Sequence, residues 1–155
     1  MSSNGRSPGF TAQLDRYPDD DVTVVILSNS YATTSQDPIA GDIAAIVLGD
    51  ARSPAPEMRG IEMPMTRLTP LAGRYQYGPD YFVPNAQFEV SVGPGYLLLQ
   101  LGGFRTPLVP LSGAEFLERN FLGRVVFSRS EEGKADRLTY RYAGREFAAR
   151  RISDK

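Results

Sequence analysis

The sequence predicts an α+β protein that is mostly β, with a β-hairpin and one helix followed by a small antiparallel β-barrel. An alternating apolar stretch, a β-branched run and one helical stripe lie in the first third of the chain. The remainder consists of short β-type segments separated by turn residues. Of the 155 residues, 41% are hydrophobic and 23% are charged, which suits one or two packed domains and argues against disorder.

The first segment has the pattern of a hairpin. After a turn-rich approach at residues 5–9, apolar and polar residues alternate from Phe10 to Tyr17. Residues 18–21 (Pro-Asp-Asp-Asp) have turn chemistry, and residues 22–27 are nearly continuous and β-branched. We expect the second strand to lie centrally in a sheet.

A helix is expected over residues 37–49. Asp37 has N-cap chemistry, Pro38 suits the first helical position, and Gly49 ends the helix. The apolar side chains at helical spacing are Ile39, Ile43, Ile46 and Val47. We expect this stripe to be buried against the hairpin.

A linker and a barrel complete the chain. Residues 50–66 contain three prolines and little periodicity, so we divide the chain into residues 1–49, a linker at 50–66 and a barrel domain at 67–155. No helix is expected after residue 50, except one turn near Ala114. The candidate strands are 73–77, 81–83, 87–92, 96–101, 105–109, 115–117, 124–128, 138–142 and 146–151. About eight such strands indicate an antiparallel barrel or sandwich, and closure would remove the exposed edges.

Composition excludes several kinds of site. The chain has no His and no Cys, which rules out a Ser-His-Asp triad, disulfides and zinc thiolates within it. Its only lysines are Lys134 and Lys155. Residues 1–64 carry a net charge of −5 and residues 65–155 one of +4, which indicates two segments with different surroundings. No cofactor is expected.

The sequence offers two further candidate sites, each with a simpler structural explanation. The carboxylates at residues 19–21 could attract a cation, but they lack the spaced ligands of a calcium loop, and a turn explains them. Arginines and aromatic residues alternate over residues 137–151, as in some nucleic-acid binders, but an outer face over a core face explains the alternation. We therefore expect no metal and no nucleic-acid partner. No apolar run is long enough for a transmembrane segment, and the start does not have a signal-peptide pattern.

The first segment resembles the last part of serine β-lactamase-like hydrolases of the class C β-lactamase and penicillin-binding protein type. The residues concerned are Ser3-Asn4-Gly5 followed by Pro8-Gly9-Phe10, then Tyr17-Pro18, then Leu27-Ser28-Asn29 and the helix at residues 37–49. The later segment, which opens with Leu71-Ala72-Gly73-Arg74-Tyr75, is similar to the lipocalin-like domain often appended to such enzymes.

This resemblance implies a non-catalytic accessory fragment. The family's Ser-x-x-Lys nucleophile motif and its Tyr-x-Asn motif are both missing, and both precede the matched region in the family's order. The chain would then help to complete, gate or oligomerise a hydrolase whose parent setting is periplasmic or secreted. Ser3, Asn4 and Gly5 occupy the third-motif position and are candidate substrate-binding residues, although Ser3 stands where the family has His or Lys. No catalytic residue is assigned.

An alternative is a free-standing barrel that binds a small apolar ligand, with Tyr75, Tyr77 and Tyr96 as candidate lining residues. A hairpin and an apolar helix separated from a larger sheet would leave an open edge and an uncovered face. We therefore expect self-association through residues 10–49, or binding to the rest of the hydrolase domain.

Overall fold

The computed structural model describes residues 1–30, 34–49, 58–129 and 133–153 of the chain. The chain divides into two compact units, which lie within residues 1–57 and 58–155. Strands dominate both units, and the described part of the chain contains few helices. The predicted mostly-β character is therefore confirmed. No helix among these residues has the length and apolar character that crossing a bilayer requires.

The first unit is a three-stranded antiparallel sheet with one helix packed on it. Its elements are β1 (Ser2–Ser7), β2 (Phe10–Tyr17), β3 (Val22–Ser28) and α1 (Gln36–Val47). Strands β2 and β3 pair from Thr11 opposite Ser28 to Tyr17 opposite Val22, which confirms the predicted hairpin. The central position expected for the second strand is wrong, because β2 lies in the middle of the sheet and β3 at its edge. In the turn, Asp21 has a positive φ of 53°, a conformation in which Asp is enriched over most residues.

Strand β1 differs from the turn-rich approach expected at residues 5–9. Ser2–Ser7 pairs with β2 along its whole length, and the turn is confined to Pro8 and Gly9, where Gly9 has a φ of 87°. All six residues of β1 are exposed. The apolar alternation that marks a half-buried strand is therefore absent here, because both faces of β1 are exposed.

The contact face of α1 also differs from the expectation. The buried helix residues are Gln36, Ala40 and Ala44, and the two alanines pack with Val24 of β3. The predicted stripe of Ile39, Ile43, Ile46 and Val47 is exposed. Alanine lets the helix backbone approach the sheet closely, which turns the larger side chains outward. The helix N-cap is Ser35, so the assignment of Asp37 as the cap is wrong.

The second unit is a closed eight-stranded barrel in which every neighbouring pair is antiparallel. Its strands are β4 (Gly73–Tyr77), β5 (Gln87–Val92), β6 (Leu97–Leu101), β7 (Phe104–Pro110), β8 (Glu115–Glu118), β9 (Gly123–Arg129), β10 (Ala135–Tyr142) and β11 (Arg145–Ser153). Strands adjacent in sequence are adjacent in space, and β11 pairs with β4 to close the barrel. The predicted small antiparallel barrel is confirmed.

Three local predictions for this region are wrong. Residues 81–83 belong to the β4–β5 loop, where Pro84 lacks a donor for strand pairing and Asn85 has a φ of 58°. A short helix, α2 (Met65–Leu68), and a 3-10 turn at Thr69–Leu71 precede β4, although no helix was expected there. Residues 111–114 form bends, without the helical turn expected near Ala114.

The barrel core is formed by inward-facing side chains of alternating strand positions, as Phe88 and Val90 of β5 and Leu138 and Tyr140 of β10 illustrate. Met63, which lies within the predicted linker at residues 50–66, also belongs to this core. The Ile61 N–H donates to the Pro110 carbonyl at 2.8 Å. Part of the predicted linker, residues 50–57, lies outside the described residues.

Candidate functional site

The candidate substrate-binding residues Ser3, Asn4 and Gly5 lie in the middle of β1. They pair with residues 12–14 of β2 and are exposed. Gly5 lines a surface cleft of about 500 Å³ together with Phe10 and Leu27. The structure therefore places the third-motif position beside an apolar depression, and substrate binding there remains a prediction.

The three candidate ligand-lining tyrosines do not all lie together. Tyr75 and Tyr77 of β4 are buried in the barrel core, where their ring centroids lie 5.7 and 4.5 Å from that of Phe88. Tyr96 is half-buried in the β5–β6 turn, and its ring packs against Gly93. The prediction that the three tyrosines bind an apolar ligand remains untested, and the structure brings only two of them into one cluster.

Arg151 covers Tyr75 at the start of β4. Its guanidinium carbon lies 5.5 Å from the centroid of the Tyr75 ring, and its Nη2 donates to the carbonyls of Pro70 (3.2 Å) and Ala72. The Tyr75 hydroxyl donates to the Leu71 carbonyl at 2.8 Å. These contacts join the 3-10 turn to the last strand. The Tyr75 hydroxyl therefore already has a hydrogen-bond acceptor within the protein.

Glu118, at the end of β8, is a buried polar group that the sequence did not reveal. Its carboxylate accepts from the Thr106 hydroxyl, the backbone N–H groups of Asn120 (2.8 Å) and Phe121 (2.9 Å), and the Tyr140 hydroxyl (3.4 Å). An acid followed by polar residues usually marks an exposed turn, so only the tertiary structure identifies this group. The carboxylate fastens the β8–β9 turn to β7 and β10.

Burial raises the pKa of Tyr140 well above the ordinary tyrosine value, and the nearby Glu118 charge raises it further. Burial likewise raises the pKa of Tyr77, with a further contribution from Tyr81. Tyr81 stacks on Tyr77 with ring centroids 3.7 Å apart. Both buried tyrosines therefore remain protonated at neutral pH and act as neutral core residues.

The arginines of the last two strands lie mainly on the outer surface, as the alternation predicts. Arg137 of β10 stands directly opposite Arg150 of β11, and both are exposed. They line a cleft of about 380 Å³ with Gln76 and Asn85. Further along the same strands, Arg141 pairs with Glu146 at 2.8 Å. The sequence shows these arginines only as an alternating basic surface, because which of them share a cleft depends on the closure of the barrel.

No cluster of three or more Asp, Glu, His or Cys side chains suited to a metal ion occurs among the described residues. The carboxylates considered for a cation belong to the β2–β3 turn, where the Asp21 N–H donates to the Pro18 carbonyl at 3.3 Å. These residues therefore form the turn that the sequence predicts.

No protein-family profile matches the chain, and no curated protein matches it significantly. Among solved structures, 97% of the chain aligns with SurE bound to D-Leu (18% identity, TM-score 0.42) and with SurE (17% identity, TM-score 0.43). An octameric penicillin-binding protein homologue from Pyrococcus abyssi aligns with 96% of it (20% identity, TM-score 0.32). The chain spans about a third of the length of these proteins, at 35%, 34% and 33%. At these low scores the similarity assigns neither an activity nor a partner.

Proposed function

We propose that residues 1–49 are the final layer of a β-lactamase-related serine hydrolase domain, with the barrel as an appended lipocalin-like domain. In this proposal the chain is non-catalytic by itself and completes, gates or oligomerises the hydrolase. The order of the sequence motifs supports the family, and the uncovered faces of the first unit support an incomplete domain. The uncovered apolar faces are the main support for this proposal.

The sheet of the first unit has an apolar face turned away from α1. Pairing of Ala12 with Leu27 and of Leu14 with Val25 places these residues on the face opposite Val24, which contacts the helix. Leu27 is 79% exposed. Strands of layered α/β domains are apolar on both faces because helices cover both. This face therefore has the character of an interior surface without its second layer.

The outer face of α1 is apolar as well. Ile39, Ile43 and Val47 are exposed, and Ile46 is 77% exposed. A helix at the surface of a finished domain normally presents charged and polar residues on its outer face. Two apolar faces on one small unit indicate that it packs between other elements, such as the earlier part of a hydrolase domain.

The absence of catalysis is tested by intact-mass measurement after incubation with a fluorophosphonate and, separately, with a reactive β-lactam. No adduct is expected, because neither lysine of the chain lies in a Ser-x-x-Lys motif. One stoichiometric adduct would show an activated serine and would overturn the non-catalytic assignment.

The uncovered faces are tested by light scattering of the full chain at micromolar concentration. We expect self-association that weakens in Leu27→Thr and in Ile46→Gln, since these changes preserve strand and helix propensity but remove apolar surface. The matched control is Ile152→Thr, which removes an exposed aliphatic side chain from β11 of the barrel. A strictly monomeric wild type, or equal effects of all three changes, would contradict the role of the first unit.

A further inference from the structure

We propose that the outer surface of the barrel carries a binding site for the oxyanion of a small organic molecule, a carboxylate or a phosphate monoester, between Arg137 and Arg150. The two residues are direct partners in the antiparallel pairing of β10 and β11. Directly opposed residues have Cβ atoms about 4.5–5.5 Å apart, and like charges so placed destabilise a sheet. An anion between them would replace this repulsion with attraction.

Three other arginines of the barrel have partners within the protein. Arg141 pairs with Glu146, Arg124 pairs with Glu115 at 3.3 Å, and Arg151 donates to backbone carbonyls. Within residues 1–30, 34–49, 58–129 and 133–153, neither arginine of the proposed site has an ion pair or a side-chain hydrogen bond. Their charge is therefore available to a ligand from solution.

The site is a formed cleft of about 380 Å³. Gln76 of β4 stands next to Arg150 in the pairing, and its Nε2 donates to the Asn85 carbonyl at 3.2 Å. The Gly78 N–H donates to the Ala148 carbonyl at 3.1 Å. These bonds fix the β4–β5 loop against β11. Ligand binding therefore does not have to offset the entropy cost of ordering this wall of the cleft.

The lining indicates a small ligand. Guanidinium groups bind the paired oxygens of carboxylates and phosphates through two parallel hydrogen bonds. Pro79 and Ala148 offer apolar surface beside the charges, and Asn85 adds an amide. A nucleic acid would need an extended basic groove with exposed stacking rings, whereas the β10 side chains Leu138 and Tyr140 face the core. An anion on a short apolar or amide-bearing body fits the cleft better.

The proposal is tested by a ¹H–¹⁵N NMR titration of the full chain with N-acetylalanine, phenyl phosphate and the uncharged N-acetylalaninamide. We expect one of the two anions to shift the backbone amides of Gly78, Asn85 and Ala148 saturably, and the uncharged amide to leave them unchanged. The anion that binds more tightly shows which of the two oxyanions the site prefers.

Arg137→Gln and Arg150→Gln should each weaken this binding about tenfold or more, since hydrogen bonds to charged groups contribute strongly. Arg119→Gln is the matched control, because Arg119 is an exposed barrel arginine that does not line the cleft. Unchanged affinity in both cleft variants, equal losses in the control, or no shift with either anion at millimolar concentration would overturn the site. This site does not depend on the proposed hydrolase function.

Discussion

Replacing Glu118 with Gln tests whether one buried carboxylate holds the β8–β9 turn. The side chain is 3% exposed, and one of its oxygens accepts from the Asn120 N–H while the other accepts from the Phe121 N–H. Gln has the same shape but can place only one acceptor oxygen there. Its NH₂ group must then face one of the two backbone donors.

The expected cost follows from these contacts. Each hydrogen bond to a charged group contributes about 1.5–3 kcal/mol, and a buried donor left without an acceptor costs about 1–3 kcal/mol. Part of this is recovered, because the amide oxygen keeps one backbone contact and the NH₂ group can rotate toward the Thr106 or Tyr140 hydroxyl. We therefore expect Glu118→Gln to lower the free energy of unfolding of the barrel by about 2–4 kcal/mol. For a unit of this size the melting temperature should fall by about 10–25 °C.

The assay is urea unfolding followed by tyrosine fluorescence, which is unobscured because the chain has no Trp. All tyrosines except Tyr17 and Tyr31 lie in the barrel part of the sequence, so the signal mainly reports that unit. Glu115→Gln is the control on the same strand, because Glu115 forms a partly exposed pair with Arg124 and should contribute less than about 1 kcal/mol. Equal losses in the two variants would refute the anchoring role of Glu118.

Two further predictions concern the barrel interior. Because burial raises the pKa of Tyr77 above that of the unfolded chain, the stability that this group contributes is complete below about pH 10 and is lost as the pH rises further. At pH 11 urea unfolding should show a loss of stability that is smaller in Tyr77→Phe than in the wild type, by about 1 kcal/mol. Gly123→Ala should destabilise the barrel by about 1–3 kcal/mol in thermal unfolding, because the added Cβ meets the Tyr140 ring, whereas Gly103→Ala, with open space around it, should change little. Identical alkaline profiles of wild type and Tyr77→Phe, or equal effects of the two alanines, would contradict these assignments.

The strands could be predicted where one face is buried and the other is not. Strand β5 could be predicted from the alternation at Phe88 and Val90 and from the turn glycines that follow it. This pattern arises because each barrel strand has an inner and an outer face. The same rule failed for β1, which has two exposed faces, and for residues 81–83, where aromatic residues suggested a strand. There Tyr81 stacks on Tyr77 from a loop.

The candidate sites were less predictable, because a cleft depends on residues distant in sequence. Arg150 and Gln76 are neighbours only because β11 closes the barrel against β4. Glu118 gave no sign of burial in the sequence, since its partners Thr106 and Tyr140 lie on other strands. Composition could exclude kinds of chemistry, but it could not locate these groups.

The sequence by itself determined which kinds of catalytic and metal site are excluded, because these depend only on which residue types are present. It also determined most of the strands and the antiparallel barrel, because these follow from local periodicity. Tertiary structure alone decided which apolar surfaces are covered. The isoleucines of α1 have the periodicity of a buried stripe, yet Ala40 and Ala44 contact the sheet instead. Periodicity shows that one face of a helix is apolar. Only the packed structure shows whether another segment of the chain covers that face, because burial depends on contacts between segments that are distant in sequence.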